Sequence, residues 1–298
     1  LKSKGISLST VTGKNFDFGN LKPRSHYTMS SDLQTYFRAS KYLMDLKLSK
    51  EDVIILKKMP KPVIQDAMSW INTYRPFIAA ANRPLVWENA TQTPPYVLHP
   101  KNKAQLFPKS WGIDNEILFS TVYHQKFPQS EQIIGSLKQP RLLPSGLDVA
   151  TVLGSNMAES ILEASGEFRK YPNLKPVIAS LKARYKNTKA KNTETLYQKW
   201  LSTLATLWSG ESTSPGNTIE KSFWSKKRLQ TGLASWATLR HASLLVNERT
   251  MSECGEAGFE PIVLRPPRGY VEPDVKTLDA TSDLFDATIQ VVKAQESS

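Results

Sequence analysis

Apolar positions along this 298-residue chain recur at intervals of three and four far more often than in alternation, the pattern of helices that bury one face. In SDLQTYFRASKYLMD, Leu33, Tyr36, Phe37, Ser40 and Met44 fall on one stripe behind a cap at Ser30 or Ser31. After a break at Pro60 and Pro62, Val63, Ala67, Trp70, Ile71, Tyr74 and Ile78 line a second helix, and the two read as a buried pair. Pro76 should kink or interrupt that second helix. Periodicity resumes over 115–127, then in short helices from about Asp148 and over 156–165. Segment 171–185 carries Pro172 and Pro176 near its start, where a first turn tolerates proline, and should be helical to Tyr185. Residues 194–210 place Leu196, Tyr197, Trp200, Leu201, Leu204 and Trp208 on a wide apolar face, with Gly210 as the stop. The longest pattern runs from Phe223 or Trp224 to about Glu248 through Leu233, Trp236, Ala237, Arg240 and Leu244. A terminal helix sets Leu278, Phe285, Ile289 and Val292 on one face.

The connecting stretches are rich in proline and polar residues. Residues 1–24 read as an irregular lead-in. Residues 83–112 combine five prolines with Trp87 and Trp111, too much proline for regular structure and too much aromatic surface for a solvated linker. Residues 139–148 and 254–273 are turn-rich, and Pro144 to Leu147 reads as a turn and nothing more. The lysine-rich run 182–191 suggests an exposed connector. With no βαβ alternation and no fixed repeat, the predicted fold is mainly α: an irregular multi-helix domain with long ordered Pro/Trp-rich loops. Its expected organisation is a lead-in at 1–24, one large helical domain at 25–273 with a subdivision point near 186–194, and a C-terminal acidic helix at 274–298.

Composition narrows this picture. A hydrophobic fraction of 40% and a net charge of +12 exclude simple disorder and collagen-like repeats, and the length suffices for a sizeable core. The single cysteine, Cys254, forms no internal bridge, and its neighbours Glu253 and Glu256 would raise its pKa and leave it inert. The longest apolar stretch, Phe77 to Ala81, is far short of the roughly 20 residues that cross a bilayer. From Gly269 onward six acids stand against two lysines, a net of −4, which leaves +16 on residues 1–268.

Several segments, in order, resemble an uncharacterised and mostly bacterial family, domain of unknown function 3160. They are SHYTMSSDLQTYFRA (25–39), PSGLDVATVLGS (144–155), YPNL (171–174), LYQKWLSTL (196–204), GLASWATLRHASLL (232–245), SECG (252–255) and PPRGYVEP (266–273). The resemblance implies the C-terminal part of a longer protein, exported or lipid-anchored in the cell envelope, hence periplasmic, extracellular or cell-surface. It also implies cleavage of a precursor or a cut ahead of Leu1. It supplies no activity. It implies an acid where Thr238 stands and another where Ala242 stands, a Glu-x-x-His-Asp pattern that would put an acid and a histidine on one helical face, as carboxylate-bridged metal sites do. This chain has neither acid, and His241 alone cannot hold a catalytic metal.

The weak catalytic candidates are therefore His241 and Arg240 on the long helix, and His26 and Arg38 in and after the SHYT segment. The bland reading of each is a charged group satisfied by a carboxylate, a carbonyl or a helix end. His99 and His124 have no ligand spacing around them, and no nucleophile elbow, H-E-x-x-H or phosphate loop occurs. No cofactor and no metal are expected. Candidate interaction residues are the cations Lys182, Arg184, Lys186, Lys189, Lys191, Lys226, Lys227 and Arg228.

The leading expectation is a non-catalytic scaffold or interaction domain whose partner is a protein, either the N-terminal fragment of the same precursor or another envelope protein. Membrane-surface association without a transmembrane segment is compatible with the charge. The alternative is an envelope hydrolase of peptide or glycan, with His241, Arg240, His26, Arg38 and an acid converging in a cleft. Nucleic-acid binding through the lysine runs is weaker, because no recognition motif accompanies them.

Overall fold

The computed structural model describes residues 5–10, 13–46, 52, 55, 58–77, 112–123, 134–136, 138–189, 195–210, 218–244 and 274–296, with the backbone alone at Ser25, Tyr74, 187–189, 218–220 and 241–244. The fold is mainly α. The chain divides into two compact units. One comprises Leu1–Thr73, Ala81–Ser110 and Arg240–Tyr270, the other Tyr74–Ala80, Trp111–Leu239 and Val271–Ser298. The Pro/Trp-rich stretch 83–111, His99, His124 and Cys254 lie outside the described residues.

The first unit opens on strands β1 (Ile6–Leu8) and β2 (Asn15–Asp17), paired antiparallel with Ser7 opposite Phe16. Sequence periodicity missed this ribbon because three-residue strands are too short for alternation to register. Helix α1 (Ser31–Asp45) starts where its cap is expected: the Ser30 hydroxyl accepts a 3.2 Å hydrogen bond from the Leu33 amide. Its inward face meets the ribbon. Phe16 sits edge-on to Tyr42 at 4.9 Å, Phe18, Leu21, Tyr42 and Leu46 form one buried cluster, and Tyr42 and Ser9 share a 2.5 Å hydrogen bond. Phe37 is fully buried, worth about 1.5–3 kcal/mol by area. Helix α2 (Lys61–Tyr74) ends at the proline as expected, and Arg75–Phe77 tightens into a 3-10 turn. Of its predicted stripe Ile71 is buried, whereas Trp70 is 70% exposed and Val63 also faces out, which corrects the reading of a buried helix pair.

The second unit is built from α3 (Ile113–Ser120), α4 (Gly146–Val152), α5 (Asn156–Ala164), α6 (Glu167–Lys170), α7 (Leu174–Lys189), α8 (Leu196–Ser209), α9 (Thr218–Leu244) and α10 (Val275–Glu296). Helix α4 packs against α3, α5 and α7, and its core holds Ile117, Val149, Leu162, Leu174 and Ile178. Helix α7 runs through Lys189 rather than ending at Tyr185, so the expected lysine-rich connector begins as helix. Its Lys, Arg and Ala residues are good helix formers, and low apolar content alone does not end a helix. Helix α8 begins in a capping box, with the Gln198 side chain accepting from the Thr195 amide at 2.9 Å. It buries Tyr197, Trp200, Leu201, Leu204 and Trp208.

Two glycines set close approaches. Gly210 ends α8 with φ −63°, so no left-handed turn requires it; a Cβ there would lie 2.7 Å from the Arg228 guanidinium. Gly232 of α9 faces the Trp208 indole, which a Cβ would meet at 2.2 Å.

Candidate interaction surface

Several described charges of the second unit turn inward and find one another. Arg141 is 3% exposed, and its fork spans Asp148, with Nη1 donating to Oδ2 at 2.7 Å and Nη2 to Oδ1 at 3.0 Å. The same Nη1 donates to the Thr121 carbonyl at 2.8 Å, and Nε to Glu167 at 3.1 Å. Burial alone would lower the Arg141 pKa, but Asp148 and then Glu167 outweigh it and raise it further. Asp148 also accepts from the Ser145 amide at 2.9 Å, closing the N-terminal box of α4. The PSGL segment is thus a helix start rather than a bare turn. The Ser-x-x-Asp spacing is the signal that could have shown it.

Fully buried Asp114 accepts from the Tyr197 hydroxyl at 2.6 Å and from the Trp236 indole N–H at 3.1 Å, tying α3 to α8 and α9. Glu116 pairs with Arg184. Burial pushes the Glu116 carboxyl above the ordinary glutamate range, and the Arg184 charge opposes this. The folded state therefore holds a proton that the unfolded state releases, so this carboxyl's stabilising contribution is complete below the ordinary range and is lost as pH rises through the raised value. Glu116→Gln should flatten that part of the stability profile and leave stability near neutral pH unchanged or higher, as urea unfolding between about pH 4 and pH 7 would read.

The cations singled out in the sequence divide. Lys182 pairs with Glu159 at 2.6 Å, Arg184 with Glu116, and buried Arg228 with Asp274 at 3.4 Å. Lys186 and Lys226 are exposed, and exposed Lys227 lies 4.5 Å from the Trp224 ring. The Lys189 side chain and all of Lys191 lie outside the described residues. A cavity of about 230 Å³ opens between the start of α5, the end of α8 and α9, lined by Asn156, Met157, Ser209, Lys221 and Arg228 among others. Its buried cation is already engaged by Asp274.

In the first unit, His26 packs on Tyr27 with ring centroids 3.9 Å apart, and Arg38 donates to Gln34, one turn back on α1, at 3.3 Å. Burial, then Tyr36, pushes the Tyr27 phenol up to about 12. Arg240 is half-buried on α9, and the side chain of His241 lies outside the described residues. Among the described residues no three His, Cys, Asp or Glu gather as metal ligands, and no helix is long and apolar enough to cross a membrane.

The surface that stands out is on α10. Its half-buried positions, Thr277, Ala280, Thr281, Leu284, Ala287, Thr288 and Val291, recur at helical spacing on the side packed along α8. Most are small, and two of their three hydroxyls are satisfied locally: Thr281 donates to the Thr277 carbonyl at 2.7 Å and Thr288 to the Leu284 carbonyl at 2.8 Å. Across the pair, the single Thr203 hydroxyl proton of α8 is shared between the Lys199 carbonyl at 3.1 Å and the Ala280 carbonyl of α10 at 3.3 Å. Apart from Leu284 and Val291, the large apolar side chains point elsewhere. Val275, Leu278, Phe285, Ile289 and Val292 occupy roughly 100° of arc and are between 44% and 65% exposed. The shared apolar face read from the sequence is present, but it looks away from α8.

Comparison with known proteins adds the family. The model described as "Protein of unknown function (DUF3160)" matches residues 57–298. The chain belongs to this family. The family match covers all of the second unit's helices, α10 included, while the SHYT segment at 25–39 precedes it. Neither the curated proteins nor the solved structures return a match.

Proposed function

We propose that this family member acts as a non-catalytic interaction domain of an exported bacterial envelope protein, and that its partner is a protein seated on α10. The observation that carries the reading is the outward ridge Val275, Leu278, Phe285, Ile289 and Val292. Contiguous apolar surface on a folded chain is uncommon away from interfaces, whereas single exposed apolar residues are ordinary. The engagement of Lys182, Arg184 and Arg228 by carboxylates supports a protein partner over nucleic acid, since those cations already have counter-charges. The envelope setting, and the choice between the N-terminal part of the same precursor and another envelope protein, rest on the resemblance described above.

A photo-reactive residue placed at Phe285 in cells of the natural source tests this. The expected result is cross-linking concentrated on one protein, or one stretch of the same precursor, identified by mass spectrometry and diminished by Ile289→Ser. A photo-reactive residue at exposed Ser160 of α5 is the control, and equal, scattered cross-linking from both positions would overturn the reading. Because the ridge is exposed, Ile289→Ser should shift stability by no more than about 0.5 kcal/mol, so lost cross-linking reads as lost docking.

A further inference from the structure

We infer that the partner presents to α10 a helix whose apolar face is bordered by lysine or arginine; this rests on the docking reading above and adds the chemistry of the partner. Helix α10 has three distinct sides. One packs on α8 and one is the apolar ridge. The third carries exposed Asp279, Asp283 and Asp286 at spacings of four and three, so these acids form a continuous flank beside the middle of the ridge. Lys276 and Lys293 stand only toward the two ends. The opposite margin of the ridge is neutral, with Thr281 and Thr288. An apolar ridge on a 22-residue helix, broken only at exposed Ser282 between Leu278 and Phe285, suits another helix laid along it, with its apolar positions in register with the ridge and basic residues along the acidic rim.

Other occupants fit less well. A second copy packed antiparallel, ridge to ridge about a two-fold axis, would bring the two aspartate flanks side by side, a like-charge arrangement that disfavours pairing. An anionic lipid surface would be repelled by the same flank; helices that lie on such surfaces carry Lys and Arg on their polar side. The acidic rim therefore selects against both and favours a basic helix.

The chain's own charge makes the test sharp. With a net charge of +12, non-specific attraction would favour an acidic ligand, so a preference for a basic one reports the local flank. Two fluorescent helical peptides of about 18 residues, five turns long, would share one leucine ridge and differ only in lysine or glutamate beside it. By anisotropy at low salt the lysine peptide should bind about tenfold tighter, the size expected of three rim charge pairs. The preference should fade at about 1 M salt, where the screening length falls to about 3 Å. The triple variant Asp279→Asn/Asp283→Asn/Asp286→Asn should bind both peptides equally, and Phe285→Ser/Ile289→Ser should bind neither.

Equal binding by the unaltered chain, or a lysine preference that survives the triple variant, would overturn the basic-helix inference. If both peptides bind equally and the ridge variant loses both, the docking face stands and only its charge preference falls. If the ridge variant changes nothing, both readings fall. Ridge-dependent binding to phosphatidylglycerol vesicles would place lipid rather than a basic helix on the face.

Discussion

Arg141→Ala should destabilise the second unit by roughly 3–5 kcal/mol, the usual cost of removing one partner from a buried ion pair. The effect is expected to be large because Asp148 is completely buried and receives both arms of the Arg141 fork. Removing the guanidinium strands that carboxylate with only the Ser145 amide and its helix start to stabilise it. The Thr121 carbonyl and Glu167 lose a donor as well. Arg141→Lys keeps the charge but not the bidentate fork, and should recover less than half of the loss. The double variant Arg141→Met/Asp148→Leu tests the cause: with no charge stranded, much of the stability should return, short of the full amount because the Ser145 amide stays uncapped. Urea unfolding followed by circular dichroism reads all three. A loss under about 1 kcal/mol for Arg141→Ala would mean that water reaches Asp148 and that the network is not the unit's polar anchor.

Most helix positions were legible along the sequence because apolar residues keep three- and four-residue spacing, although α7 runs past its expected end and α9 starts at Thr218 rather than at Phe223 or Trp224. Ser30, Pro76 and Gly210 mark ends where the structure has them. The buried charges were not legible. Asp114 meets residues 83 and 122 positions away, and Arg141 meets one seven away and another 26 away, so no local pattern betrays them. Interior carboxylates are also rare enough that surface placement is the default expectation. The face of α10 shows a different limit. A periodic stripe identifies residues that share a side of a helix, but which side meets the protein depends on the neighbour. Here α8 accepts the Thr/Ala side, where backbones approach closely and Thr203 reaches the Ala280 carbonyl, and the bulkier ridge is left outside.

That arrangement gives the second unit an interior that holds several matched charges and a helix, α10, that leaves apolar surface outside. Arg141 with Asp148 and Glu167 ties the start of α4 to α6, while Glu116 meets Arg184 of α7. On the docking reading proposed above, an apolar face already set on an ordered helix favours recognition, since little ordering remains to be done when a partner arrives.

Asp114→Ala is expected to cost about 2–5 kcal/mol, because it leaves two buried donors, the Tyr197 hydroxyl and the Trp236 indole N–H, without their acceptor. The carboxylate is the point where α3, α8 and α9 meet, so its loss should loosen all three. Asp114→Asn retains one acceptor oxygen and should cost about half as much. Tyr197→Phe removes a donor and its demand together, and should cost only about 1 kcal/mol. The pair then gives a cycle: Tyr197→Phe combined with Asp114→Ala should cost less than the two separate losses added, by about 1–2 kcal/mol, because the stranded hydroxyl is gone. Additive losses would show that the 2.6 Å contact contributes no coupling and that α8 is held to α3 by apolar packing alone.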